Sequence, residues 1–136
     1  MTRQKILSLV LILISISSFS QSGKKKITLY ADEQSNIKFN EKIHDFGKIT
    51  EGTKATYEFI YTNNGKAPLI ITDVITPCSC TSPDWSKEPL LPGKSSKIKV
   101  VFDSKNKPGT FNKTITVKHN GASGTEYLII KGVVSN

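Results

Sequence analysis

The chain has 136 residues, a formal net charge of +8 and two cysteines. This length suits one globular domain with short additional segments. Arg3 is its only arginine, and the other eighteen basic residues are lysines. Since arginine supplies the forked hydrogen bonds that read guanine and clamp phosphate, the composition argues against a nucleic-acid partner. Lysines on strand faces and edges are more often solvated and oppose edge-to-edge association of sheets.

Residues 1–20 have the pattern of a cleavable signal peptide. A basic start that includes Arg3 is followed by an apolar stretch over residues 6–16 and then by small residues. The small-x-small pattern that ends at Ser20 predicts cleavage between Ser20 and Gln21. The apolar run is shorter than the roughly 20 residues of a spanning helix, and no cysteine lies near the cleavage point to carry a lipid. We therefore expect an exported chain without a membrane span or lipid anchor, in the periplasm or the medium.

Residues 21–35 have the composition of a charged linker, and residues 36–136 are the predicted domain. The linker contains a run of three lysines at residues 24–26 and a short apolar stretch at residues 27–30 that suits a stray strand. No sustained helical period occurs in the remaining chain, so we predict an all-β domain.

Residues alternate between apolar and polar in several segments, as expected for strands with one buried face. The alternation predicts strands over residues 53–62, 96–103 and 110–120, and apolar runs predict two more over residues 69–75 and 125–134. The residues that we expect to form the centre of the core are Phe59, Phe102, Ile115, Val117 and Ile129.

Turn-forming residues separate these segments at intervals typical of a β-sandwich. Asn63-Asn64-Gly65, Pro92-Gly93, Pro108-Gly109 and Asn120-Gly121 each mark a connection. The spacing predicts an immunoglobulin-like sandwich of about seven antiparallel strands. The cysteine and tryptophan spacing of antibody domains is missing, because the two cysteines are only two positions apart.

Several short motifs recur in a fixed order along the domain. They are Asp45-Phe46-Gly47-Lys48-Ile49, Glu51-Gly52, Tyr57-x-Phe59, Asn63-Asn64-Gly65-x-x-Pro68-Leu69, Cys78-Ser79-Cys80-Thr81-x-Pro83-x-Trp85, Leu91-Pro92-Gly93 and Gly109-x-Phe111-x-Lys113. In this order and spacing, over about residues 37–134, the chain resembles the exported bacterial family catalogued as domain of unknown function 1573. The resemblance implies an immunoglobulin-like fold related to major-sperm-protein-like and cilium-associated domains, and it implies no established activity. The family usually has glycine where this chain has Ser79.

Cys78 and Cys80 are the strongest candidate for chemistry. Residues i and i+2 of an extended strand lie about 6.6 Å apart, whereas disulfides prefer Cα atoms about 5.5–6 Å apart. A bridge therefore needs a tight turn at Ser79, where glycine would open the positive-φ region more easily. A three-residue ring also removes little chain entropy, equivalent to about 1.6 kcal/mol. We expect any such bridge to be a weak structural staple and easily reduced.

Three interpretations of this cysteine pair remain open. It is a shaped loop without chemistry, a thiol–disulfide exchange module, or a copper-handling site in which both thiolates take Cu(I). Only His44 and His119 remain as imidazole ligands, and a structural zinc site would need four ligands.

Trp85 and the two histidines are weaker candidates. Trp85 is a candidate for stacking on a sugar ring, although a lone tryptophan after a crossover more often covers the open end of a core. We expect His44 and His119 to lie at the surface. The sequence as a whole predicts a non-enzymatic interaction module for a protein or glycan of the cell envelope, without a cofactor. The alternative is a thiol redox or copper-handling protein that uses Cys78 and Cys80.

Overall fold

The computed structural model describes residues 33–136, which form eight β-strands. The strands are β1 (Ile37–Phe39), β2 (Ile43–Thr50), β3 (Lys54–Asn63), β4 (Ile71–Ile75), β5 (Thr81–Trp85), β6 (Ser95–Asp103), β7 (Gly109–His119) and β8 (Thr125–Ser135). Within residues 33–136 no helix has the length and apolarity needed to cross a membrane. The predicted signal peptide 1–20, its cleavage point at Ser20 and Gln21, and the linker up to residue 32 lie outside the described residues.

The strands form two four-stranded sheets that pack face to face. The order is β1-β3-β6-β5 in the first sheet and β2-β8-β7-β4 in the second. The prediction of an all-β, immunoglobulin-like sandwich is confirmed, with eight strands instead of about seven. The expectation that every strand pair is antiparallel is wrong, because β2 pairs with β8 in parallel. Alternation along a strand indicates which face is buried and carries no information about its neighbour's direction.

The core between the sheets is built from the inward residues of β3, β6, β7 and β8. Phe59, Phe102, Ile115 and Val117 are buried there, as predicted. The prediction that Ile129 is part of the core is wrong. Ile129 lies on the outer side of β8, and its neighbours Leu128 and Ile130 are buried instead. Pairing explains this, because Leu128 lies opposite the buried Ile115. β8 is apolar on both faces, so its alternation did not settle which face is inward.

Polar side chains fix the loops at one end of the sandwich. The buried Asn63 amide donates to the carbonyl oxygens of Ala67 and Leu90, each at 2.8 Å, and its Oδ1 accepts from the Gly65 N–H at 3.0 Å. Ser35, at the end of the predicted linker, is also buried, and its hydroxyl donates to Asn120 Oδ1 at 3.1 Å. The packed part of the domain therefore includes Ser35, one residue before the predicted start.

Candidate functional site

The connection between β4 and β5 crosses one open side of the sandwich and carries the cysteine pair. β4 is an edge strand of the second sheet and β5 is an edge strand of the first. Cys78 and Cys80 are joined by a disulfide with Cα atoms 5.2 Å apart. The Thr81 N–H donates to the Cys78 carbonyl at 3.3 Å, and the Asp103 N–H donates to the Cys80 carbonyl at 2.8 Å. The backbone of this turn is therefore held by hydrogen bonds as well as by the disulfide.

Ser79 closes this small ring without a left-handed backbone. Among the described residues, Asn106 is the only non-glycine residue with a positive φ. The expected tight turn at Ser79 therefore forms without a positive φ, and the serine is compatible with it.

Thr81 is the polar side chain next to the disulfide. It is the first residue of β5, lies opposite Phe102 and is only 3% exposed. Its Oγ1 lies 3.5 Å from Cys78 Sγ and 3.9 Å from Cys80 Sγ. Sequence reasoning missed Thr81, because its inward direction follows from the β5–β6 register and β5 was not predicted as a strand.

The copper-handling interpretation would need further metal ligands beside the two cysteines. Within residues 33–136 no group of three or more His, Cys, Asp or Glu side chains is placed to hold a metal ion. The two sulfurs are also bonded to each other and are not thiolates in this form.

Trp85 joins the two sheets across the same open side. Its ring packs against the core, and its indole N–H donates to the Ile71 carbonyl on β4 at 3.3 Å. The Lys87 ammonium lies 3.4 Å from the ring centroid, in cation–π contact. An open groove of about 460 Å³ runs beside it, lined by charges of both signs at Glu58, Lys97 and other residues. The indole N–H and one ring face are thus already occupied within the chain.

His44 is half-buried on the opposite open side, where β2 meets β3. Its ring stacks on Tyr57 with the ring centroids 3.6 Å apart, and Phe46 packs edge-on against it. The Tyr57 hydroxyl donates to Glu41 Oε2 at 2.8 Å. This hydrogen bond to a carboxylate, with smaller contributions from burial and the Glu41 charge, raises the pKa of Tyr57. Phe46 and Tyr57 of this cluster pack against the core on this open side.

His119 is buried at the end of β7, contrary to the expected surface position, and is 6% exposed. The Gly121 N–H donates to its Nδ1 at 3.0 Å, and its Nε2 lies 3.1 Å from Ser123 Oγ. In the neutral ring the proton must then sit on Nε2, where it points at the serine oxygen. A general base needs a free lone pair toward the hydroxyl that it deprotonates. The pair therefore lacks the arrangement of a base and its nucleophile.

The outer face of the second sheet carries most of the exposed large hydrophobic side chains of the described domain. Of the six large hydrophobic side chains exposed in residues 33–136, four lie on it, at Tyr127 (58% exposed), Ile43 (53%), Ile75 (44%) and Val133 (40%). Half-buried Ile129 lies between them, in register with Ile43. We call these five residues the second-sheet face. Sequence reasoning missed it, because it requires the pairing of all four strands of the second sheet.

Polar and charged residues lie around and between the residues of the second-sheet face. Thr114 and Thr116 of β7 lie opposite Ile129 and Tyr127. Two oppositely charged pairs lie in cross-strand register on the same outer side. Asp73 with Lys118 lies at its β4 edge, whereas Asp45 with Lys131 lies between Ile129 and Val133 along β8. A shallow groove of about 380 Å³ adjoins the face beside the β2 bulge, with Asp45, Lys48 and Lys131 in its wall.

The two packed four-stranded sheets define an immunoglobulin-like sandwich domain. Residues 37–134 match the family model described as "Protein of unknown function (DUF1573)". The chain belongs to this family, as its motifs indicated. No curated protein matched the chain.

Solved structures of other proteins share the fold. A protein of unknown function from Porphyromonas gingivalis W83 is similar over 80% of this chain and 51% of its own, with a TM-score of 0.68 and 16% identity. The ASH/PapD-like domain 7 of human CEP192 gives a TM-score of 0.63 and 10% identity over 76% of this chain and 87% of that one.

The Vibrio cholerae VesB protease gives a TM-score of 0.57 and 18% identity over 81% of this chain. The chain thus spans about half of the Porphyromonas protein and about a third of the protease, at 51% and 34%. At these identities the similarities show the fold alone.

Proposed function

We propose that this chain is an exported cell-envelope domain that acts as a non-enzymatic interaction module and docks a partner protein through the second-sheet face. Export is supported by the basic start, apolar stretch and small residues that end at Ser20. The docking role rests on one observation, the collection of four of the six exposed large hydrophobic side chains of residues 33–136 on one sheet face. Soluble domains seldom expose such a group unless it serves as a contact surface.

The arrangement of charge on this surface suits a protein partner. Interface centres are poor in charged residues and rich in aromatic and aliphatic ones, with polar residues at the rim. Tyr127 and Ile129 have threonines as cross-strand neighbours on β7. The Asp73–Lys118 pair lies at the β4 edge, and the Asp45–Lys131 pair separates Val133 from Ile129. The partner surface should therefore have an apolar centre opposite Ile43, Tyr127 and Ile129, with charges of both signs beside it. These rim charges set the orientation of docking more than its strength.

A glycan suits this surface less well. Sugar sites use the faces of aromatic rings together with converging polar groups. The second-sheet face has a single aromatic ring, Tyr127, among aliphatic side chains. Trp85, the other candidate for sugar stacking, already has its N–H bonded to Ile71 and Lys87 over its ring.

A matched pair of lysine substitutions tests this proposal. Ile60 lies on the outer side of the first sheet and is 37% exposed, so Ile60→Lys is the control for Tyr127→Lys. A photo-crosslinking residue at position 127, with position 60 as the reference, identifies the contact in intact cells. The purified complex is then measured by calorimetry. A buried lysine at the centre of the contact should raise Kd at least about tenfold, whereas Ile60→Lys should change it by less than about twofold.

Two results would overturn the proposal. The first is equal binding by the Tyr127→Lys and Ile60→Lys proteins, which would place the contact elsewhere. The second is binding of an envelope glycan that Tyr127→Lys abolishes in the absence of protein, which would replace the partner class. Circular dichroism of both variants confirms that each retains the fold.

A further inference from the structure

We propose that Cys78 and Cys80 form a thiol–disulfide exchange site in which Thr81 stabilises the released thiolate, and that its reaction partner is a dithiol. This site lies on the open side formed by β4 and β5, and it does not depend on the docking role of the second-sheet face. The inference rests on the hydroxyl of Thr81 and on the hydrogen bonding of the turn.

The Thr81 hydroxyl is placed for a stronger acceptor than a disulfide. Thr81 is only 3% exposed. Within residues 33–136 its hydroxyl makes polar contacts with the two sulfurs. A disulfide sulfur is a weak hydrogen-bond acceptor, whereas a thiolate carries a full charge and accepts strongly. Reduction of the bridge therefore gives this buried hydroxyl a better partner. The hydrogen bond stabilises the thiolate and lowers the pKa of the thiol that accepts it.

The turn does not require the disulfide to hold its shape. Hydrogen bonds from the Thr81 N–H to the Cys78 carbonyl and from the Asp103 N–H to the Cys80 carbonyl fix the backbone on both sides of Ser79. The disulfide also closes a loop of only three residues, so it restrains the unfolded chain very little. A bridge that contributes little to folding is correspondingly easy to reduce, and its loss leaves the site assembled.

The exchange proceeds in two displacements. A thiolate of the dithiol attacks Cys78 Sγ, because Cys80 packs against the core. A mixed disulfide forms as the Cys78–Cys80 bond breaks, and the electron pair moves to Cys80 Sγ. The Thr81 hydroxyl, whose Oγ1 lies 3.5 Å from Cys78 Sγ and 3.9 Å from Cys80 Sγ in the disulfide form, then donates to this new thiolate. The second thiolate of the dithiol then attacks the dithiol's other sulfur, which is bonded to Cys78 in the mixed disulfide. This closes a disulfide within the partner and releases Cys78 as a thiolate. The dithiol is oxidised by two electrons, the cysteine pair is reduced, and both new thiolates take protons from water.

Three threonine variants test the role of the hydroxyl. Thr81→Val removes the hydroxyl at similar volume, Thr81→Ser retains it, and Thr114→Val is the control on the outer side of β7. The reduced proteins are alkylated at a series of pH values, and the oxidised proteins are reduced with dithiothreitol. We expect one thiol of the unsubstituted chain to have a pKa below the ordinary value of about 8.5. Thr81→Val should slow alkylation at pH 7 about tenfold and also slow reduction, whereas Thr81→Ser and Thr114→Val should stay within about twofold.

Either of two results would overturn the proposal. One is an alkylation profile of the unsubstituted chain in which both thiols have pKa values at or above about 8.5, which decides the matter even where Thr81→Val fails to fold. The other is a folded Thr81→Val protein that alkylates and reduces at the unsubstituted rates. Neither result bears on Tyr127 or its partner, so the two proposals fail separately.

Discussion

His119 is one of two histidines in the chain, and its surroundings favour the uncharged ring. The Gly121 N–H points at Nδ1, so protonation of that nitrogen would break a hydrogen bond and oppose two N–H groups. Burial lowers the pKa of His119, and the nearby Glu126 carboxylate raises it by a smaller amount, so the pKa lies below the ordinary value of 6.5. Ser123 bridges the two groups, since its Oγ lies 3.1 Å from His119 Nε2 and 3.2 Å from Glu126 Oε1.

We predict that acid weakens the fold through His119. The unfolded chain takes up a proton near pH 6.5 while the folded chain resists it, so the unfolded state binds more protons in this range. The contribution to stability is therefore complete above pH 6.5 and is lost as the pH falls from 6.5 through the lower folded-state pKa. The midpoint of thermal unfolding, measured from pH 8 to pH 5, should fall in this window for the unsubstituted chain. The fall should be much smaller for His119→Gln.

His44→Gln is the control for this measurement. It removes the other imidazole, and the fall of the unfolding midpoint should persist in this variant.

Glu126 affects stability at lower pH. Burial raises the pKa of its carboxyl, but hydrogen bonding and charge from Lys42, with help from Ser123 and His119, lower it overall. Stability from Glu126 is therefore lost only as the pH falls below about its ordinary value of 4.5. An unfolding midpoint that falls equally between pH 7 and pH 5.5 in the His119→Gln protein would contradict the assignment.

At the scale of single strands, β8 offers the most direct test of register. Leu128 is fully buried opposite Ile115, whereas the adjacent Ile129 lies on the second-sheet face. Leu128→Ala should lower the free energy of unfolding by about 2–5 kcal/mol, because it removes core contacts and leaves a cavity. Ile129→Ala should cost about 1 kcal/mol or less, because half of its surroundings are solvent. Urea titration measures both, and a larger loss for Ile129→Ala would show that β8 is displaced by one residue.

Strands with one apolar and one polar face were predicted correctly in both range and inward face, whereas β8, apolar on both faces, was predicted correctly in range alone. β3, β6 and β7 each agree with the predicted ranges to within one residue. β1 and β5 have three and five residues, too few for alternation to stand out, and β5 contains Pro83. β2 is half-exposed along its length and is bent by a bulge between Asp45 and Lys48, with Gly47 at a φ of 66°. Edge strands of this kind are specified by their neighbours more than by their own pattern.

The candidate site was predictable where residue type alone marks it. Cys78, Cys80 and Trp85 are conspicuous in the sequence, because they are the only cysteines and the only tryptophan. Thr81 is not conspicuous, since its burial depends on the pairing of β5 with β6. The second-sheet face likewise joins distant positions, such as Ile43 and Ile129, which are 86 residues apart and which only the sheet order brings together. Long-range pairing is the information that period-two alternation lacks.

At the scale of the whole molecule, the two proposed sites occupy different surfaces of the sandwich. The second-sheet face lies on the outer side of one sheet, and the disulfide lies on the open side where β4 and β5 meet. The disulfide lies in the connection between these two strands: Cys78 follows the end of β4 by three residues, and Cys80 directly precedes β5. A disulfide in this place agrees with an oxidising compartment outside the cytoplasm, where such bonds persist. Export is therefore the proposal on which both surfaces depend for their partners.

We predict that the exported chain begins at Gln21 and carries no lipid. Removal of residues 1–20 takes away Arg3 and Lys5 and no acidic residue, so the formal charge should fall from +8 to +6. Intact-mass measurement of the periplasmic and medium fractions reads the new terminus directly. Ser20→Arg is the matched variant, because signal peptidase requires a small residue before the cut, and it should leave the leader attached and the chain held at the membrane. An unsubstituted chain that retains Met1 in the cytoplasm would contradict export, and with it the oxidising compartment in which the Cys78–Cys80 bond persists.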